Sequence, residues 1–428
     1  MQNSLKHIVG LIKAVIIVAI WLITFSVRLT AQPVYSLLYE PSWSQIAGAE
    51  NLLTLHRAVV EVQGKFLPAQ LFDESSDWTK AAGIAYRLSK AILLDNNIEY
   101  LPMILQHEVF GHGARFREFV FQGSSYNINL GPPYGNASGF AVWGRNKRSL
   151  TETEDIAAWI GGVEANQRMA QTTFLQWLQH GQMHYREMLT ALLSMHNITL
   201  YALTTTLGDN ADIDSYRYKL NAFYRNRNID KTVRLEDIQR QVLLNLLNPW
   251  QYFIAYAYAK EYTWDAKEEW AFPMIRFGEV GYLPSLRCGL GVFGVEGYIE
   301  NFLSYAGASG LVYYRQTLDS PLPAYGVGME VRNVSINSWL TLGVKCDAWL
   351  QSTMQLGTED RVSEETRPGI SATALANVWL PEQNGYRVGL TLHAGYKTRG
   401  FVQSEPLAQG VTIRLGIGFA QALKNDTK

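Results

Sequence analysis

The spacing of apolar residues changes near residue 272, and this change constrains the fold more than any other feature of the sequence. From about residue 85 to residue 265, apolar residues recur every three or four positions, which is typical of helices. After residue 272 they recur at every second position, as in WLTLGVKCDAWL and YRVGLTLHAGYK, which is typical of strands. We therefore predict an α+β protein with a mainly helical domain at residues 32–271 and antiparallel strands at residues 272–428.

The two faces of these strand segments differ in polarity. One face is apolar, whereas the other carries glycine, threonine and charged residues. A transmembrane β-barrel shows this pattern because its apolar face meets lipid and its polar face lines the lumen. We therefore expect an antiparallel β-barrel of about eight strands at residues 272–428, in contact with the lipid of an outer membrane. A soluble sandwich or small barrel would alternate in the same way with its apolar side inward, and the pattern alone does not separate the two.

The N-terminus has the composition of an export signal. Lys6 and Lys13 precede the apolar run AVIIVAIWLITFSV, which is followed by Leu29-Thr30-Ala31. The run is shorter than the roughly twenty residues that a membrane-spanning helix requires, which favours a cleaved signal at residues 1–31 over an uncleaved anchor. The rest of the chain is expected in the cell envelope.

Charge and cysteine content exclude some classes of partner and ligand. With 37 basic and 38 acidic residues the formal net charge is -1, so no positive field would attract nucleic acid. Export would permit a disulfide between Cys288 and Cys346, and the sequence leaves their pairing open. Neither cysteine lies near the histidine motif described next, so a metal bound there would need nitrogen and oxygen ligands.

Two histidines flank a glutamate in the segment MILQHEVFGHGARF. A metal-dependent hydrolase needs two imidazoles, a third ligand, an open position for water, and a carboxylate that takes the proton of this water. His107 and His112 are five residues apart, which in a regular helix turns their side chains roughly 140° away from each other. They can meet only if the helix contains a π-bulge or unwinds at its end, which Gly111 and Gly113 would allow.

The segment His107-Glu108-Val109-Phe110-Gly111-His112 resembles the His-Glu-x-x-Gly-His motif of the dipeptidyl peptidase III family of zinc metallopeptidases. This resemblance covers some sixty residues of the chain. It implies that His107 and His112 bind Zn²⁺ and that Glu108 is the general base.

The same resemblance implies a third zinc ligand on a later helix, as in other gluzincins. Its best match is Glu164 in the segment GGVEANQR, although Val163, Ala165 and Asn166 depart from the family's Glu-Glu-Cys-Arg-Ala-Glu pattern. The two glycines of this segment, Gly161 and Gly162, would let its helix approach the histidine helix closely. Residues that could orient the imidazoles from this helix are Asp155 and Asn166.

These observations favour an exported zinc-dependent hydrolase, and among hydrolases a metallopeptidase that acts on peptides or proteins. The segment GFAVW at residues 139–143 could offer an edge strand to an extended peptide. A zinc hydrolase of non-peptide bonds remains an alternative. So does a membrane barrel or binding protein whose metal site is purely structural. The side of the membrane that the helical domain would face is left open.

Overall fold

The computed structural model describes residues 34–119, 121–136, 138–146, 148–208, 211–357 and 365–421. The expected export signal at residues 1–31 lies outside these ranges. Within them the protein is α+β, with a helical N-terminal part and a large antiparallel sheet.

Helices form most of the chain between residues 45 and 264. The α-helices are α1 (Gln45–Phe66), α2 (Asp77–Lys90), α3 (Asn96–Leu105), α4 (Gly113–Glu118), α5 (Glu152–His180), α6 (Tyr185–Thr204), α7 (Asp212–Arg225), α8 (Leu235–Val242) and α9 (Pro249–Tyr256). Three further segments are π-helical, at Ala91–Asp95, Gln106–His112 and Ala257–Trp264, and Leu243–Leu247 is a 3-10 helix.

Helix α5 is the central helix, and almost all of its residues are buried. It begins with a capping box between Thr151 and Glu154, and it ends at Gly181, whose positive φ suits a helix C-terminus. The helix packs against α1, α6 and α7 on one side and against sheet strands on another. It therefore connects the helical part to the sheet.

Strands occur at both ends of the chain and between the helices. They are β1 (Val34–Tyr39), β2 (Phe121–Gln122), β3 (Ser125–Ile128), β4 (Gly139–Val142), β5 (Arg145–Asn146), β6 (Met183–His184), β7 (Glu269–Trp270), β8 (Ile275–Phe277), β9 (Val280–Gly291), β10 (Gly294–Tyr305), β11 (Ala308–Thr317), β12 (Tyr325–Asn337), β13 (Leu340–Ser352), β14 (Thr366–Trp379), β15 (Tyr386–Lys397) and β16 (Gly410–Gln421).

The main sheet has ten antiparallel strands in the order β1-β16-β15-β14-β13-β12-β11-β10-β9-β8. Strand β1 lies outside the predicted strand region, yet it pairs with β16 from Val34 opposite Ala420 to Tyr39 opposite Leu415. In the described residues β1 and β8 are the two edges and do not pair with each other. The prediction of a β-barrel of about eight strands is therefore wrong.

The polar face of the sheet explains why the barrel prediction failed. This face does not line a lumen, because it packs against α5. Arg168 of α5 forms an ion pair of 2.7 Å with Glu330 of β12, and Gln171 donates a hydrogen bond to Glu300 of β10. Polar residues at alternate positions therefore contact a helix, and a sheet filled in this way need not close on itself.

A shared hydrophobic core joins the two parts of the molecule. It contains Ile156 and Val163 of α5, Tyr216 of α7, and Leu290 of β9. Cys288 and Cys346 are free thiols on β9 and β13, so they form no disulfide. No helix in the described ranges is both long enough and apolar enough to cross a membrane.

Candidate metal centre

The histidine segment Gln106–His112 is π-helical and lies between α3 and α4. Hydrogen bonds in a π-helix join residues five apart, so this turn brings residues 107 and 112 to the same side. The Nε2 atoms of His107 and His112 are 3.3 Å apart. The π-bulge that the five-residue spacing predicts is confirmed.

Asp212, the first residue of α7, completes a group of three possible metal ligands. Its Oδ2 atom lies 3.1 Å from Nε2 of His107 and 3.0 Å from Nε2 of His112. A tetrahedral ion with bonds of about 2.0 to 2.1 Å holds its ligand atoms about 3.3 Å apart, close to these spacings. The three residues are 5%, 6% and 8% exposed in chain order. This buried group can hold a metal ion.

Helix α5 orients both imidazoles. Nδ1 of His112 lies 2.8 Å from the Ala158 carbonyl, which accepts its proton and leaves the Nε2 lone pair for a metal. Nδ1 of His107 lies 3.2 Å from Nδ2 of Asn166, whose amide oxygen has no partner. Turning this amide by 180° makes the oxygen an acceptor for Nδ1–H and frees Nε2 of His107 in the same way.

Glycines allow α5 to pack directly against the π-helical turn. A Cβ atom on Gly162 would lie 2.3 Å from Nε2 of His107, and one on Gly111 would lie 2.6 Å from the Cα of Gly162. Both distances are shorter than any normal contact of a Cβ atom. With the two helices packed this closely, both positions therefore require glycine. The close approach of the two helices that the sequence predicts is confirmed.

Glu108 lies beside the three ligands and is itself buried. Burial raises the pKa of its carboxyl above the ordinary value; His107 and His112 oppose this rise, and Asp212 adds to it. A backbone hydrogen bond from Ala141 of β4 also reaches the carboxylate. The carboxyl of Glu108 thus interacts electrostatically with all three residues of the group.

The cluster carries a proton when no metal is bound. Burial alone would lower the pKa of His112, but the neighbouring Asp212 carboxylate raises it to about 9. Burial would raise the pKa of Asp212, but His112 and the hydrogen bonds from both imidazoles hold it far below its usual range. A divalent cation would replace this proton between the same three atoms.

Glu164 is not part of this group. Its carboxylate receives hydrogen bonds from Nη2 of Arg115 at 2.7 and 2.8 Å and from Nε2 of Gln45 at 3.0 Å. The backbone N–H of Ser404 donates a further bond of 2.5 Å. Glu164 thus forms a buried ion pair with Arg115, and Asp212 is the carboxylate that contacts the two imidazoles.

The sequence also suggested Asp155 as a residue that could orient an imidazole. In the structure its carboxylate forms an ion pair of 2.7 Å with Lys219. The sequence around Asp212 does not mark it as a metal ligand, because acidic residues are common in the first turn of any helix. It lies a hundred residues after His112, and only the packing of α7 against α5 reveals its position.

Comparison with protein-family models, with curated proteins and with solved structures found no match for this chain.

Proposed function

We propose that this protein is a zinc-dependent hydrolase that acts on peptides after export. The observation that carries this proposal is the convergence of His107 Nε2, His112 Nε2 and Asp212 Oδ2, with Glu108 beside them. The resemblance of residues 107–112 to the dipeptidyl peptidase III motif supports the same chemistry. The specificity of that family is not part of the proposal.

The donor set supports zinc among the common metals. Two imidazole nitrogens and one carboxylate oxygen are the ligands of many catalytic zinc sites, whereas calcium and magnesium prefer oxygen ligands alone. Bound zinc would polarise a substrate carbonyl and lower the pKa of the attacking water to about 7. The three ligands leave a tetrahedral ion with one position for water or substrate.

Glu108 would supply the proton transfer. As a carboxylate it can accept a proton from the attacking water and return it to the leaving amine. Its raised pKa reduces the free-energy difference between its protonated and ionised forms at neutral pH. Asn166 and Ala158 would keep the two imidazoles in the orientation that this reaction requires.

Strand β4 supports a peptide as the substrate. In the described residues β4 pairs only with β3, so its second edge has no strand partner. The backbone of Ala141 on this strand reaches Glu108, and a Cβ atom on Gly139 would lie 3.0 Å from Cγ of Glu108. An extended peptide added to this edge would pass next to the candidate base.

A structural metal site is the second candidate, and the burial of the ligands favours it. His107, His112 and Asp212 are each less than a tenth exposed, and structural zinc sites are closed to solvent. Such sites have four protein ligands, however, and the described residues supply three here.

Substitution of Glu108 distinguishes the two candidates. We expect the purified protein to contain one zinc per chain by mass spectrometry of its metals, and to hydrolyse a library of fluorogenic peptides. Glu108→Gln should abolish hydrolysis and retain zinc, because the amide cannot accept the proton. Exposed Glu236→Gln is the matched control and should change neither property. Full activity of Glu108→Gln would contradict the catalytic proposal, and bound zinc without activity in the unmodified protein would favour the structural site.

A further inference from the structure

The main sheet exposes an apolar surface that the metal centre does not use. We define the outer face as every second residue of the segments 340–350, 370–378, 386–396 and 411–419. Strand pairing places all of these residues on one side of β13 to β16. None of them is charged, and large residues such as Leu390 and Val411 are 69% and 72% exposed.

The opposite face of the same strands holds buried charges. Lys345 of β13 forms an ion pair of 2.5 Å with Glu405, and Arg414 of β16 forms one of 3.0 Å with Glu40. An ordinary antiparallel sheet buries its apolar face and exposes its polar face to water. This sheet buries its polar face and exposes its apolar face, so contact between the outer face and water is unfavourable.

Aromatic residues mark the two ends of the outer face. Tyr386 and Trp339 lie at one end of the strands, and Tyr396 and Tyr325 lie at the other. All four are exposed. The ten residue steps from Tyr386 to Tyr396 span roughly 34 Å, which a strand tilt reduces to about the thickness of bilayer hydrocarbon. Tyrosine and tryptophan favour the two boundaries of that layer.

Among the described residues, charged side chains border the outer face at both ends. Glu382 and Arg387 flank the end at Tyr386, and Arg367 lies near the opposite end. A charge-free band between two charged borders complements a lipid bilayer, in which hydrocarbon separates two polar headgroup layers.

Helix α1 reduces the cost of placing the β1 edge of an open sheet in lipid, a cost that comes from unpaired backbone groups. Asn51 of α1 accepts a hydrogen bond of 2.6 Å from the Leu38 N–H of β1 and donates one of 2.9 Å to its carbonyl. Thr54 donates another of 2.9 Å to the Ser36 carbonyl. The same helix exposes an apolar stripe formed by Leu55, Val59, Val62 and Phe66.

We propose that the outer face lies in the hydrocarbon of a lipid bilayer, with strands β13 to β16 crossing it. Side chains of α1 bond the N–H and carbonyl of Leu38 and the carbonyl of Ser36 on the edge strand β1. The occupant of the outer face is thus phospholipid acyl chain, and the polar opposite face remains packed on the protein.

Spin labels on single cysteines test this proposal in the full-length chain. Cys288 and Cys346 are first changed to serine, and the protein is reconstituted into vesicles of phosphatidylcholine and phosphatidylglycerol. Labels at Leu390→Cys and Leu415→Cys should collide several-fold more often with oxygen than with a water-soluble nickel complex. The control Leu207→Cys, which is exposed on a loop outside the sheet, should show the reverse.

Two results would overturn the proposal. If nickel reaches positions 390 and 415 as readily as position 207, the outer face is in water. If neither reagent reaches them and the protein is a detergent-free dimer by light scattering, a second copy covers the face. Zinc content and peptide hydrolysis are measured on the same samples. A result that contradicts the lipid proposal therefore does not decide whether the protein is a zinc hydrolase.

Discussion

At the scale of single residues, the candidate site depends on two carboxylates with different partners. Asp212 contacts both imidazoles, whereas Glu164 is held by Arg115 and the backbone of Ser404. A metal bound by the first would leave the second untouched, so the two residues can be separated by substitution.

Asp212→Ala should remove bound zinc, because the ion would keep only two protein ligands. Glu164→Gln should retain zinc but unfold more easily, since it removes one of the two carboxylates paired with buried Arg115 and leaves only Glu118, a loss of about 1 to 3 kcal/mol. Metal analysis after dialysis and urea unfolding measure both effects. Loss of zinc from Glu164→Gln at a denaturant concentration where it remains folded would assign the third ligand to Glu164 instead.

Asn166→Ala tests the orientation of His107. The imidazole would lose the amide next to its Nδ1 atom, and we expect zinc affinity to fall by about 10- to 100-fold. Competition with a chromogenic chelator measures this affinity. Asn166→Asp should restore much of it, because a carboxylate can accept the same proton.

The metal-free protein should lose stability as the pH rises. Although burial alone would lower the pKa of His112, Asp212 raises it from 6.5 to about 9 in the folded state. The stabilisation is therefore complete below about pH 6.5 and is lost as the pH rises through about 9. Asp212 has a lowered pKa, so its own contribution is present above its ordinary value of 3.8 and is lost in acid.

Urea unfolding in EDTA at about pH 6 and about pH 9.5 measures this dependence. His112→Gln should reduce the difference between the two pH values, because glutamine does not titrate. An unchanged difference would show that other groups cause it.

At the scale of elements, α5 and the π-helical turn set the geometry of the site. The sequence predicted this part well, because the helix spacing, the five-residue spacing of the histidines and the paired glycines are local signals. It did not predict which carboxylate contacts the histidines. That choice depends on long-range partners such as Arg115 for Glu164 and α7 for Asp212.

Gly162→Ala should disrupt the metal site. Its Cβ atom would lie 2.3 Å from Nε2 of His107, so the imidazole must move away from His112 and Asp212. We expect zinc to be lost while the far-UV spectrum is retained. Gly64→Ala in α1 is the control, because the nearest atom to its Cβ is 3.6 Å away. The control should bind zinc normally and gain roughly 0.5 to 1 kcal/mol in stability.

At the scale of the whole molecule, the alternation of apolar and polar residues predicted the strands of residues 272–428 and their two faces. Closure into a barrel did not follow, because it depends on hydrogen bonds between strands far apart in sequence. The short segment VYSLLY carried no signal that it would pair with β16, and the sequence did not reveal that α5 fills the polar side.

Removal of the side chain that covers the sheet edge should destabilise the molecule. Asn51→Ala leaves the N–H and carbonyl of Leu38 without these partners, and we expect a loss of about 1 to 3 kcal/mol. Thermal unfolding in detergent measures the change. Asn226→Ala, at an exposed position whose side chain contacts Glu152, should have little effect.

The pairing of β1 with β16 has a consequence for biogenesis. Among the described strands, the partner of the first is synthesised last, so the sheet cannot be completed while the ribosome is still translating the middle of the chain. Contacts between such distant segments also form slowly. The helical part is therefore synthesised before the sheet is complete. Its apolar surfaces would need protection by chaperones until β15 and β16 have been synthesised.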